Sequence, residues 1–167
     1  MSLDGTDCPI NEPSPFSARY YSHKLNGPGY KYEVGLCIRT GDIVWVCGGV
    51  PCGQLSDLGL ARQEIVDEIS AGEMILADDG YKDANYFVYP QAYPEISREH
   101  KAVMARHETV NGRIKNFEVC KRSYRHNLSK HHLCFFAVVN LVQLSIDSGE
   151  TLYAVDGSIL KIMSLTH

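Results

Sequence analysis

The chain has 167 residues, 44% of them hydrophobic and 22% charged, which is the make-up of one ordinary globular domain with room for a full core. No apolar run reaches the roughly 18 residues that a bilayer span needs, and the opening MSLDGTDCP carries acid rather than a basic leader. Six cysteines (Cys8, Cys37, Cys47, Cys52, Cys120, Cys134) show no C-x-x-C pair, so reduced thiols in an intracellular protein are expected rather than a disulfide framework. The net charge of −4 hides an asymmetry: residues 98–132 hold nine Lys/Arg against three Asp/Glu, whereas residues 1–97 hold six against fourteen. An acidic part joined to a basic segment suits a protein that binds divalent cations and a polyanion side by side.

In chain order, LDGTDCPI (3–10) reads as a strand with Asp4 near its start. Residues 11–29, rich in Pro, Ser, Asn and Gly, read as a long loop. Tyr30 to Ile38 and the following IVWVCGG read as two strands joined by the turn Thr40-Gly41-Asp42. Ser56 is placed to N-cap a helix running to about Ser70. MILA is a short strand apolar enough for burial on both faces, and it delivers Asp78-Asp79-Gly80-Tyr81 at its C-terminal tip. Open α/β sheets place ligands at such strand tips. Phe87-Val88-Tyr89 suggests another strand, closed by Pro90.

A long helix is predicted from about Ser97 to Phe117, with Val103, His107, Val110, Ile114 and Phe117 on its buried stripe. One position round from that stripe stand Glu108, Asn111 and Lys115, spread over two turns of one face. A basic loop, KRSYRHNLSKHH, offers Lys121, Arg122, Arg125 and Lys130 to a phosphate backbone. His126, His131, His132 and Cys134 do not match the spacing of zinc-ligand knuckles. A last helix, His131 to about Ile146, is apolar nearly all round and is expected inside or across the sheet. Three strands, a helix, two more strands and two helices make a mixed sheet with helices packed on it.

Four acids stand out on this layout: Asp4 on the first strand, Asp57 at a helix start, Asp78 at a strand tip and Glu108 inside a helix. A phosphodiester-cleaving site needs such a cluster, because two divalent ions about 3.5–4 Å apart are held by oxygen ligands. The words around these acids are more specific. LDGTDCPI, the meander YYSHKLNGPGYKYEVGLCIRTGDIVWVCGGVPCG, LSDLGLAR, LADDGY, ARHETVNGRIKNF, SYRHNLSKHH and LCFFAVVNL follow one another in an order that resembles the DDE-superfamily endonuclease domain of Harbinger-like transposases. The resemblance implies an α/β, RNase H-like fold over residues 1–150 with a C-terminal tail at 151–167; the N-terminal DNA-binding region usual in such transposases is expected to be absent, a departure from the family.

It also implies Asp4, Asp78 and Glu108 as the catalytic acids, with Asp57 as a further metal-ligand position and Lys115 as a basic companion that holds phosphates together with the basic loop. Asp7 stands beside Asp4, and Asp79 beside Asp78, as second candidates. The implied cofactor is a pair of Mg²⁺ or Mn²⁺ ions, and the implied partner is DNA, with a separate DNA-binding protein supplying target recognition and the nucleus as the compartment. The alternative is a domesticated remnant that binds DNA or protein without cutting.

Overall fold

The computed structural model describes residues 1–155. Its centre is a mixed six-stranded sheet. The first strand, β1 (Ser2–Pro9), pairs antiparallel with β3 (Gly27–Leu36), and β3 pairs antiparallel with β4 (Ile43–Pro51). On its other side β1 runs parallel to β5 (Ile75–Leu76), which runs parallel to β6 (Phe87–Val88). The main strands therefore lie in the order β4-β3-β1-β5-β6, with the two-residue β2 (Tyr21–Ser22) hanging on β3. The expected meander is thus present, and β5 is confined to the two middle residues of MILA.

Register decides which side chains face which layer. Asp4 lies opposite Val34, Thr6 opposite Tyr32 and Cys8 opposite Tyr30, so these residues share one face. That face is covered by α2 (Ser97–Lys115) and α4 (His131–Asp147), through a core of Tyr32, Val34, Leu36, Val110, Ile114, Phe135 and Val139. Tyr32 and Phe135 stack with ring centroids 3.8 Å apart, and the Tyr32 hydroxyl meets Nδ1 of the buried His131 at 2.6 Å. The other face, carrying Leu3, Gly5 and Asp7 with Lys31 and Glu33, is covered by α1 (Asp57–Glu64) through Leu3, Ala61, Ile65 and Tyr81.

Several elements depart from the sequence reading: the expected 11–29 loop carries β2 and the start of β3, and α2 ends at Lys115, which leaves Phe117 exposed. α1 stops at Glu64 rather than near Ser70, and the turns beyond it keep Val66 and Ile69 against the Leu3–Ala61 cluster while Glu68 accepts from Trp45 Nε1 at 3.2 Å. A short helix, α3 (Glu118–Lys121), follows α2 directly. Of the two placements expected for α4, the structure has the helix across one face of the sheet, with Leu133, Leu141 and Leu144 exposed along its outer side. Of the expected tail at 151–167, residues 156–167 lie outside the described residues; Leu152 is buried, and the Tyr153 carbonyl accepts from Arg106 Nε at 2.9 Å. Among the described residues no helix is long and apolar enough to cross a membrane.

Glu33 is fully buried on the α1 face and accepts from the Tyr81 hydroxyl at 3.1 Å. That bond fastens the turn after β5 to the middle of the sheet. Burial pushes the Glu33 carboxyl up to about 8; the Tyr81 donor works against this and the charge of Asp57 adds to it. Its ordinary value is 4.5, so between these values the folded chain keeps a proton that the unfolded chain has lost. Glu33 therefore lowers stability as pH rises through this window. Replacing Glu33 by Gln should flatten that slope in urea titrations from pH 5 to 8.5. The variant should match the parent at pH 5 and exceed it at pH 8.5, by several kcal/mol at most.

Candidate active site

Asp4 and Asp78 are brought level by the sheet itself. Ser2 pairs with Leu76 across the parallel β1–β5 contact, and each acid lies two residues further along its own chain. Neighbouring strands run about 4.8 Å apart, and the charge of Asp78 is felt at Asp4. α2 crosses this end of the sheet, held by His107 Nε2 to Ser2 Oγ at 2.9 Å and by the Asn111 carboxamide donating to Asp4 Oδ2 at 3.0 Å. The result is a cavity of about 460 Å³ lined by Asp4, Asp78, Pro90, His100, Lys101, Met104, Ala105 and Glu108. The three acids named from the sequence thus meet in one space.

Their environments differ. Asp78 and Glu108 are exposed and Asp4 is half-buried. Burial raises the Asp4 carboxyl to about 6; Lys24 opposes this, while Asp78 and, more weakly, Asp57 add to it. Asp78 Oδ1 accepts from the Gly80 amide at 2.8 Å, which closes a tight turn. Asp4 and Asp78 therefore each commit one oxygen to the protein. Among the described residues no three His, Cys, Asp or Glu side chains stand close enough to cage an ion as they lie. The donor set nonetheless fits a hard divalent cation: it consists of carboxylate oxygens, and Asp4 carries a desolvation penalty that a cation would relieve.

Asp57 and Lys115, expected beside these acids, are placed elsewhere. Asp57 belongs to the α1 face and packs over Gly5, where a Cβ would lie 3.2 Å from the Asp57 carboxyl carbon. It pairs with Lys31 and, at 3.2 Å, with Lys24. Burial disfavours its charge, but the two ammonium groups outweigh that and hold its pKa below the ordinary value. The sheet thus separates Asp57 from the cavity, and its first-turn position and two lysines account for it.

Lys115 turns inward at the end of α2. Its ammonium donates to the Asp7 carbonyl and, at 3.3 Å, to the Cys120 carbonyl, beside Cys8 Sγ at 3.6 Å. Of the second candidates, Asp7 is buried on the α1 face, where it accepts from Ser22. Asp79 accepts from the Gln91 amide at 3.0 Å and does not line the cavity.

Lys121, Arg122, Arg125 and Lys130 are all exposed, as a phosphate-binding loop requires. Arg122 pairs with Glu118 one turn earlier. The loop is stitched to the end of β1 by the Tyr124 amide donating to the Pro9 carbonyl at 3.0 Å, and by Asn11 donating back to Tyr124 at 2.9 Å. Asp4 lies five residues back along that strand, about 17 Å away.

The family model of the DDE superfamily endonucleases matches residues 3–143. The chain belongs to that superfamily. No curated protein and no solved structure matches it. Membership makes this a transposase-type nuclease domain, from a family that acts on DNA and generally uses divalent metals. The matched span runs from the residue before Asp4 almost to the end of α4, so it contains the whole cavity.

The sequence reading missed His100, Lys101 and the clasp from Asn111 to Asp4. The signal for Asn111 was its place on the Glu108 side of the helix, but sequence could not show that it faces Asp4. Replacing Lys115 by Met should cost about 2–3 kcal/mol in urea titrations, because two interior carbonyls are left without a charged donor. The salt dependence of DNA binding should stay unchanged. Parent-like stability with a flatter salt slope would instead mark Lys115 as a phosphate contact.

Proposed function

We propose that this domain is a Harbinger-like transposase nuclease of RNase H-like fold, which cuts the DNA backbone at the Asp4–Asp78–Glu108 cavity. The observation that carries the reading is the meeting of these three acids, far apart in the chain, in one cavity. The strand order supports the fold assignment, with three antiparallel strands followed by two parallel ones and acids level on the adjacent parallel pair, Asp4 within β1 and Asp78 just past β5. Asp4, Asp78 and Glu108 are the residues that would hold Mg²⁺ or Mn²⁺, two ions in the full site. Bound there, the cations supply Lewis-acid activation of the attacking oxygen and neutralise charge on the leaving oxygen.

The chain's own groups do the positioning. Asn111 fixes the Asp4 carboxylate from the helix side, and the Gly80 amide orients Asp78. The exposed cations of the 121–130 loop receive phosphates along the same strand. Contacts of this kind position a duplex without reading its bases, so target choice falls to a separate DNA-binding protein, in the nucleus.

Supercoiled plasmid incubated with the protein and Mn²⁺ or Mg²⁺ should be nicked, and chelator should stop the reaction. Glu108→Gln should lower the rate at least about a hundredfold, given what charge-stabilising groups contribute to such reactions. Neutralising Lys121, Arg122, Arg125 and Lys130 together should weaken DNA binding and flatten its salt dependence, by about 0.9 counterion for each phosphate the loop no longer neutralises. Metal-independent binding without nicking would replace the nuclease by a DNA-binding remnant.

A further inference from the structure

Five side chains of α2 reach the polar groups of the sheet and its margins: His100, Arg106, His107, Asn111 and Lys115. Arg106 Nη1 donates to the Ile38 carbonyl at 2.7 Å, beyond the end of β3. His107, Asn111 and Lys115 reach Ser2, Asp4 and the Asp7 carbonyl, all on β1. His100 alone among these five reaches the chain that delivers Asp78: its Nε2 lies 2.6 Å from the carbonyl oxygen of Ala77. A carbonyl only accepts, so Nε2 carries the proton.

Ala77 is the residue immediately before Asp78, and its own amide donates to the Val88 carbonyl at 3.0 Å. The backbone leading into Asp78 is thus held by β6 on one side and by His100 on the other. Glu108 lies on the same helix as His100, two turns further on, about 12 Å along the axis. Beside these polar contacts, Val103 of α2 and Ile96 just before it join Ile38, Leu76 of β5 and Val88 of β6 in one apolar cluster. Apolar packing resists separation but sets position only coarsely; a short hydrogen bond at a buried site sets it closely. His100 is 5% exposed and lines the cavity.

We propose that His100 is a positioning residue for this nuclease: by holding the Ala77 carbonyl it sets the spacing between Asp78 and Glu108, and with it the affinity of the cavity for a divalent cation. The inference rests on the nuclease reading above. Removing an outer partner of a metal-binding group typically changes affinity by about 10–100-fold.

The test compares Mn²⁺ binding, by calorimetric titration of the full chain, in the parent, His100→Leu and His100→Gln. Leucine fills the space without a donor. The glutamine carboxamide can donate from nearly the position of Nε2. His100→Leu should weaken Mn²⁺ binding about tenfold, and His100→Gln should return it to within about threefold of the parent. If the Leu variant does not fold in a parallel urea titration, His100→Asn, polar but too short to reach Ala77, takes its place with the same expectation. Parent-like Mn²⁺ affinity in a folded donor-less variant would overturn the positioning role, whatever its stability. So would a Gln variant as weak as Leu. A parent that takes up no Mn²⁺ would overturn the nuclease reading itself, and the role of His100 with it.

Discussion

β1 is bonded on both sides, antiparallel to β3 and parallel to β5, and its side chains alternate between two differently filled layers. A slip of one residue would carry Asp4 from the α2 side to the α1 side and bring Leu3 out of its core in exchange. The hydrophobic pattern forbids this: Leu3 is fully buried against Ala61 and Ile65, and Cys8 is fully buried beside Tyr30 and Tyr32. The position of Asp4 is thus enforced by the burial of its neighbours. The parallel pairing with β5 then brings Asp78 level with it.

The two faces of the sheet treat charge differently. On the α1 face, Asp57 is neutralised by Lys31 and Lys24, and Glu33 keeps its proton well above the ordinary carboxyl range. On the α2 face, Asp4 is half-buried, its carboxyl raised by desolvation and by the charge of Asp78, and its side-chain donor among the described residues is the neutral Asn111. The first arrangement compensates its acids internally. The second leaves a desolvated acid facing two exposed ones, a repulsion that a bound cation would relieve.

The periodicity of α2 and the alternation of β1 and β3 were legible because each pattern is long enough to repeat. Asp4, Asp78 and Glu108 were legible through the words that surround them. Asp57 and Lys115 sit inside the same kind of words, yet the sheet puts Asp57 on its far face and the end of α2 turns Lys115 inward. Their side depends on tertiary packing, which no local pattern carries. His100 was hidden for a related reason: its partner is a backbone carbonyl, and any residue could have supplied that. The apolar α4 was expected inside or across the sheet; it lies across one face, and because a helix there buries only one side its leucines at 133, 141 and 144 remain outside.

The central claim is that Asp4, Asp78 and Glu108 together hold divalent cations. A crystal of the chain soaked in Mn²⁺ and measured at a wavelength where manganese scatters anomalously tests it most directly. The account predicts anomalous peaks inside the cavity of about 460 Å³, bounded by carboxylate oxygens of Asp4, Asp78 and Glu108. Peaks confined to the Asp57 side of the sheet, or none within reach of Asp4, would contradict it.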